Sequence, residues 1–266
     1  MSPALPLPLL VGLVGSLGLA VGSFLNVVVH RVPLGLSVVS PGSACPACGH
    51  EVRGRDNVPV LSWVLLRGRC RDCRAPIPAR YPLVEAGTAL LMVAVALRVD
   101  DPEVLGAALV VAAAGVALAL IDLEHGRLPF ALTGVAAVPV VGLLALDQAR
   151  GAAVPVSSLA VAVAAWAGVY AGCWALTRGR GMGLGDVALA PVLGLAVGGL
   201  GVGSALVGLG AGFVLGGLVA GVLLATGRVA RGDRVPHGPF MLVGAGVGLF
   251  VGEPVAAAYL RLTGLA

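Results

Sequence analysis

The feature that most constrains this chain is a succession of long apolar runs. A bilayer core about 30 Å thick is crossed by a helix of roughly 20 apolar residues. Charged residues make up 11% of the 266 residues and hydrophobic ones 58%, whereas about a quarter of the residues in a soluble domain are charged. A chain of this composition cannot cover a water-facing surface, so the sequence predicts an integral membrane protein.

Eight runs are candidate membrane spans, which predicts an all-α polytopic membrane protein with about eight transmembrane helices. The first run is interpreted as a span and not as a secretory signal, because no basic residue precedes it and no small-residue cleavage site closes it. The sixth run is short, and a glycine-rich turn separates it from the seventh. The runs cover residues 5–29, 83–99, 104–121, 128–146, 155–177, 187–200, 202–226 and 238–260.

The spans divide the chain into three predicted segments. Residues 1–29 form the first span, residues 30–82 form the only sizeable polar segment, and residues 83–266 form the remaining helical bundle. Because the other loops are short, the sequence predicts that residues 30–82 form a small domain outside the bilayer.

The distribution of arginine predicts the orientation. Fourteen of the 17 arginines fall on one face of an even-numbered topology whose N-terminus lies outside, and the positive-inside rule makes that face cytoplasmic. Such a face would attract anionic lipid headgroups, and the charge pattern requires no nucleic-acid partner. The fourteen are Arg31, Arg53, Arg55, Arg67, Arg69, Arg71, Arg74, Arg80, Arg127, Arg178, Arg180, Arg228, Arg231 and Arg234.

The polar segment contains two CxxC pairs, Cys45 with Cys48 and Cys70 with Cys73, separated by 21 residues. Two knuckles at this spacing can present four thiolates tetrahedrally to zinc. A structural zinc ion would stabilise a segment that is too small to bury much core. Two disulfides are the alternative, which a reducing cytoplasm disfavours. Cys173 stands alone in the fifth run and is interpreted as a packing residue.

Two aspartates at the predicted cytoplasmic ends of spans are candidate catalytic residues. Ionisable groups at membrane depth are costly and are functional candidates by default. Asp186 begins a helix after Gly183 and Gly185, where a structural capping role is also open. Asp122 ends a helix, where the carbonyl-rich terminus repels an anion. Capping by its own helix therefore does not explain Asp122, and an ordinary loop acid is the alternative.

The predicted topology places both aspartates at one depth on one face. Two carboxyl groups in contact cannot both ionise, so one would hold a proton while the other activates a water molecule. This is the chemistry of aspartic proteases. Gly183 and Gly185 would let a substrate backbone approach closely. His237, in the sequence Pro236–Pro239, is interpreted as a loop residue at the start of the eighth run.

These motifs occur together in a known family. The chain resembles the bacterial type IV prepilin peptidases, which are GxGD-type aspartic proteases that often double as N-methyltransferases. The matching segments follow one another in order along nearly the whole chain. They are residues 22–28, 45–48, 56–63, 67–70, 80–85, 121–124, 181–186 and 236–240.

The resemblance implies an enzyme that cuts the basic leader from type IV prepilins or type II secretion pseudopilins at the cytoplasmic face of the bacterial inner membrane. Asp122 and Asp186 match the two catalytic aspartates. Bifunctional members then methylate the new N-terminus with S-adenosylmethionine, and the cysteine-containing segment is associated with that activity. The resemblance therefore implies bifunctionality here, although the methyl-donor site is unknown and Gly68 is only a weak candidate for it.

The chain departs from the family at two places. Val187 and Ala188 stand where a lysine is common after the GxGD motif, and Phe130 stands where an aspartate or asparagine is common. Two alternatives to the enzyme are open, and the departures support only the second of them. One is a small proton- or cation-coupled transporter in which the aspartates form an ion pathway. The other is a non-catalytic assembly factor of a secretion machine.

Overall fold

The computed structural model describes residues 6–230 and 235–264, so Arg231 and Arg234 of the predicted basic face lie outside the described residues. The chain forms two compact units, Met1–Leu97 and Arg98–Ala266. Each unit is helical, because its sequence consists mainly of continuous apolar runs that satisfy their backbone hydrogen bonds within a helix.

The first unit is built on α1 (Leu7–Arg31) and α3 (Arg80–Ala96), with a short helix α2 (Leu61–Leu65) between them. Glycines let α1 and α3 pack backbone to backbone. A Cβ atom at Gly18 would lie 2.6 Å from the Cα of Ala89, and one at Gly22 would lie 2.7 Å from the Cα of Glu85. The contact between the two helices therefore depends on small residues on α1.

The polar segment between α1 and α3 is held by a few specific bonds. The backbone N–H of Val60 donates to Oε2 of the buried Glu85 at 2.7 Å, and Nε1 of Trp63 donates to the Ile77 carbonyl at 3.0 Å. Val60 has a φ of 59°, which is unusual for a β-branched residue. The Glu85 carboxylate thus fixes a strained turn to the first part of α3.

Six helices form the second unit, and its closest packing joins α8 to α9. A Cβ atom at Gly244 would lie 2.5 Å from the Gly208 carbonyl oxygen, so these two helices approach as closely as glycine allows. The core centres on Trp166, whose Nε1 donates to the Ala205 carbonyl at 2.9 Å. The helices are α4 (Pro102–His125), α5 (Phe130–Ala149), α6 (Val156–Leu176), α7 (Leu184–Gly198), α8 (Val202–Ala225) and α9 (Gly238–Thr263).

The eight predicted apolar runs correspond to eight long helices of the described residues. Six of them are long and apolar enough to cross a membrane, whereas α3 has 17 residues and α7 has 15. The predicted fold class, an all-α polytopic membrane protein with a four-cysteine segment between the first two apolar helices, is confirmed. The fourth helix continues past the predicted end at residue 121 to His125, so Asp122 lies inside its last turn.

Candidate active site

Both predicted catalytic aspartates lie in the second unit, at helix ends of opposite polarity. Asp122 occupies the last turn of α4 and Asp186 the first turn of α7. Their residues are only 4% and 8% exposed. Burial removes both carboxyl groups from bulk water, so each needs a hydrogen-bond donor from the protein.

A glycine N–H supplies that donor to each aspartate. The N–H of Gly183, which precedes α7, donates to Oδ2 of Asp186 at 2.9 Å. The N–H of Gly238, the first residue of α9, donates to Oδ2 of Asp122 at 3.0 Å. Asp186 therefore caps its own helix, as the sequence left open, while the donor to Asp122 comes from another helix.

Leu128 brings the two aspartates to one place. A Cβ atom at Gly185 would lie 2.8 Å from the Cβ of Leu128, and one at Gly238 would lie 3.0 Å from its Cδ2. The start of α7 and the start of α9 thus contact the same side chain. The charges of Asp122 and Asp186 are close enough to interact. The structure accordingly brings together the two acids that the sequence placed at one depth.

A second cluster surrounds His237, immediately before Gly238. Nε2 of His237 and the hydroxyl of Tyr170 form a hydrogen bond of 3.1 Å. Tyr170 is fully buried on α6 and lies in the neighbourhood of Asp186. His237 is indeed a loop residue at the start of its helix, as predicted, but it is bonded into the core of the unit.

An apolar cavity of about 440 Å³ lies between α5, α6 and α7, and its lining includes Ala188, two residues after Asp186. Phe130 and Ala188 line it, and they are two of the residues that depart from the family pattern. Gly134 and Ala137 also line it, and these small residues leave space along one wall of the cavity. The departures therefore lie on a surface that an apolar ligand can reach.

The four cysteines of the first unit converge as a metal site requires. Their Sγ atoms all lie within 4.8 Å of one another, and the Cys45 and Cys73 sulfurs are 3.8 Å apart. A tetrahedron with Zn–S bonds of about 2.3 Å has S–S edges of about 3.8 Å. The cysteines are free, not paired as disulfides. The donor set and its dimensions fit zinc.

The two knuckles share one backbone pattern. In the first, the N–H of Cys45 donates to the His50 carbonyl and Gly49 has a φ of 75°. In the second, the N–H of Cys70 donates to the Ala75 carbonyl and Arg74 has a φ of 62°. In each knuckle, the residue directly after the second cysteine thus has a left-handed backbone conformation.

The two thiols of the first knuckle have opposite shifts in pKa. Backbone N–H groups of Cys48 and Ala47 hold the pKa of the Cys45 thiol at about 7, below its ordinary value of 9.0. For the Cys48 thiol, a backbone hydrogen bond at His50 lowers the pKa, but desolvation and the neighbouring thiols outweigh it and raise the pKa to about 12. Elsewhere in the segment, the guanidinium of Arg71 binds both carboxylate oxygens of Asp56 and holds the pKa of that carboxyl below its usual range.

Three residues of the site were missed by sequence reasoning. Gly238 donates to Asp122, Leu128 packs against Gly185 and Gly238, and Tyr170 lies in the neighbourhood of Asp186. The family matches at residues 236–240 and 128–129 were signals for the first two, and Tyr170 had none. Gly68, the candidate for the methyl-donor site, has a φ of 65° and a Cβ there would lie 2.9 Å from the Trp63 ring. Backbone geometry and packing account for that glycine.

Comparison with known proteins gives a consistent result. Residues 16–99 match the bacterial peptidase A24 N-terminal domain, and residues 109–226 match the type IV leader peptidase family. A protein of Myxococcus xanthus is 44% identical over 67% of this chain and 53% of its own length. Relatives in Pseudomonas aeruginosa (34% identical, 93% of this chain, 92% of theirs) and Aeromonas hydrophila (35%, 91% and 91%) match more fully. All three are named prepilin leader peptidase/N-methyltransferase. No solved structure matches the chain.

Proposed function

Because this chain belongs to the type IV leader peptidase family, we propose that it is a membrane-embedded aspartic endopeptidase acting on type IV prepilins or type II secretion pseudopilins. The observation that carries the proposal is the pair of buried aspartates, Asp122 and Asp186, each held at Oδ2 by a glycine N–H. Family membership favours this reading over an ion pathway, in which the same acids would line a conduit.

The proposed reaction is hydrolysis of one peptide bond by the aspartate pair. One carboxyl holds a proton and the other is ionised, as expected for two acids that interact. The carboxylate takes a proton from a water molecule while the water oxygen bonds to the scissile carbonyl carbon. The protonated carboxyl donates to the developing oxyanion. On collapse of the tetrahedral species the C–N bond breaks, one hydroxyl returns its proton to the carboxylate that had protonated the oxyanion, and the amine leaves with the proton that the other carboxyl took from water.

Holding Oδ2 of each aspartate has a direct consequence for this chemistry. The Gly183 and Gly238 N–H groups restrain the two carboxyl groups through their Oδ2 atoms. Catalysis by a pair of acids requires such fixed orientation, because a misplacement of about 1 Å can cost about 100-fold in rate. The cavity beside Phe130 and Ala188 offers an apolar surface for the stem that follows the cleaved bond.

The four cysteines, Cys45, Cys48, Cys70 and Cys73, would hold a structural zinc ion. With four thiolate ligands the coordination sphere is closed, so the ion's contribution is to stabilise the fold of the segment. N-methylation of the new N-terminus, which requires S-adenosylmethionine, is proposed from the relatives' names alone. The packing that explains Gly68 offers no support for a donor site there, so no residue is assigned to that step.

The proposed orientation places residues 45–73 in the cytoplasm and both aspartates at the cytoplasmic side of the inner membrane. Thiol labelling of intact cells checks this arrangement. A membrane-impermeant maleimide applied from the periplasm should leave a cysteine introduced by Val58→Cys, at an exposed position of this segment, unlabelled until the membrane is opened. Labelling of that cysteine in intact cells would contradict the orientation.

The peptidase is tested by co-expression with a prepilin that carries a basic leader. Asp122→Asn and Asp186→Asn keep the size of each side chain and remove its acidity, and each should reduce cleavage by at least 1,000-fold, as expected for a lost catalytic group. Asp100→Asn, at an exposed acid of the same unit, is the matched control and should cleave normally. Processing that persists in either active-site variant would refute the aspartate pair, and absence of cleavage by the unchanged chain would favour the assembly factor.

A further inference from the structure

The ring of His237 occupies an aromatic pocket directly before the residue that binds Asp122. It lies 5.7 Å from the ring of Tyr170, 5.3 Å from Phe213 and 6.2 Å from Phe240, measured between ring centres. Its hydrogen bond to the Tyr170 hydroxyl is the polar contact within this apolar surrounding. His237 is half-buried, and a polar ring in such a pocket is oriented by that bond.

The neighbouring helix is shaped to admit this ring. A Cβ atom at Gly216 on α8 would lie 3.1 Å from Cε1 and Nδ1 of His237, so any larger residue there would press on the imidazole. Tyr170 is equally fixed, since it is fully buried and stacks on Trp166 with ring centres 6.1 Å apart. Packing therefore restricts the movement of both partners of the hydrogen bond.

The backbone immediately after His237 is tightly constrained. Gly238 follows directly, and its N–H donates to Oδ2 of Asp122. A Cβ atom on Gly238 would lie only 2.8 Å from that same oxygen. A shift or rotation of His237 would thus move the N–H that orients the carboxyl group. The other partner, Tyr170, lies in the neighbourhood of Asp186.

We propose that His237 is a positioning residue, which acts through its hydrogen bond to Tyr170 to hold the Gly238 N–H on Asp122. The role rests on the proposed peptidase function. It differs from simple space filling, because an aromatic ring without a hydrogen-bonding nitrogen would fill the pocket but would leave the start of α9 without its polar anchor.

Four variants of the full chain, purified in detergent and assayed with a purified prepilin, test the proposal. His237→Phe and Tyr170→Phe each keep a ring and remove one partner of the bond, and the double variant removes both. His237→Gln restores a side-chain group that can hydrogen bond to the Tyr170 hydroxyl. Tyr259→Phe is the control, because it removes a hydroxyl from an exposed tyrosine of α9.

We expect both single variants to lower kcat about tenfold, with KM changed less than twofold, because the orientation of Asp122 matters to the chemical step. The double variant should be no slower than either single one, since the two residues act through one bond. His237→Gln should recover at least half of the lost rate relative to His237→Phe on a logarithmic scale, and Tyr259→Phe should match the unchanged chain.

Two results would overturn the role. One is full activity of His237→Phe, and the other is a slow His237→Gln that is no better than His237→Phe, which indicates packing alone. The Asp122→Asn variant, run in the same assay, separates this failure from that of the proposed function. If Asp122→Asn is inactive while His237→Phe is fully active, only the positioning role fails. If Asp122→Asn cleaves normally, the peptidase assignment itself fails.

Discussion

Replacement of Gly238 by alanine should disable the enzyme without unfolding it. The added Cβ would lie 2.8 Å from Oδ2 of Asp122 and 3.0 Å from Cδ2 of Leu128. An ordinary contact between carbon and oxygen is about 3.3–3.6 Å, so the carboxyl must retreat by about 0.5 Å or more. The N–H remains, but its 3.0 Å bond to the carboxylate stretches beyond hydrogen-bond range.

The size of the effect follows from these two changes. A misplacement of about 1 Å costs about 100-fold, so half of that distance costs about tenfold. Complete loss of a hydrogen bond to a charged group costs about 1.5–3 kcal/mol. Both figures describe the same displacement of the carboxyl group, so they are not multiplied, and at about 1.36 kcal/mol per tenfold the lost bond alone corresponds to about 10-fold to 160-fold. We therefore expect kcat for prepilin cleavage to fall about 10-fold to 100-fold, with the melting temperature within a few degrees of that of the unchanged chain.

The matched control is Gly246→Ala, because Gly246 lies on the same helix and a Cβ there meets nothing within 4 Å. Cleavage by this variant should remain within twofold of normal. The reasoning would be wrong if Gly238→Ala kept more than a third of the normal kcat, or if both glycine variants lost activity equally.

Two further predictions concern the first unit. Cys70→Ser should lower the zinc content of the purified protein, measured by atomic emission, from about one ion per chain to near zero, because four thiolates complete a structural site. Cys173→Ser, outside the cluster, should leave the zinc content unchanged. Equal zinc content in the two variants would contradict the site. Gly22→Ala should destabilise the unit by about 1–3 kcal/mol in thermal unfolding, because its Cβ would lie 2.7 Å from the backbone of Glu85. Gly12→Ala is the control, because a Cβ atom there meets open space. Equal melting temperatures of the two variants would show that α1 and α3 can separate without cost.

Several parts of this structure were predictable because their signals are local. Apolar runs identified the eight long helices, since run length against bilayer thickness needs no knowledge of neighbours. The cysteine spacing predicted the thiol cluster, because each knuckle is a short local turn. The prediction that Asp122 and Asp186 lie at one depth followed from counting spans, and the packing of Gly185 and Gly238 against Leu128 agrees with it.

The remaining parts were not predictable, because helices that are apolar all round do not reveal which face turns inward. Tyr170 lies within such a helix, and nothing in its run distinguishes a residue beside Asp186 from one facing lipid. The bond between Gly238 and Asp122 joins positions 116 residues apart. Such a contact depends on how whole helices pack, and sequence spacing carries no information about it.

The electrostatics of Asp122 show why the packing of α9 matters. From sequence, Asp122 stands at the C-terminal end of its helix, where unpaired carbonyl groups repel an anion. The structure adds the N-terminus of α9, whose first N–H binds the carboxylate, and the positive end of a helix dipole favours negative charge. Asp186 likewise lies in the first turn of α7, where the Gly183 N–H donates to its carboxylate. Both acids therefore lie at helix N-termini in space, although only one does so in sequence, and a chain that lost the docking of α9 would keep both aspartates but would leave Asp122 against the carbonyl groups of its own helix.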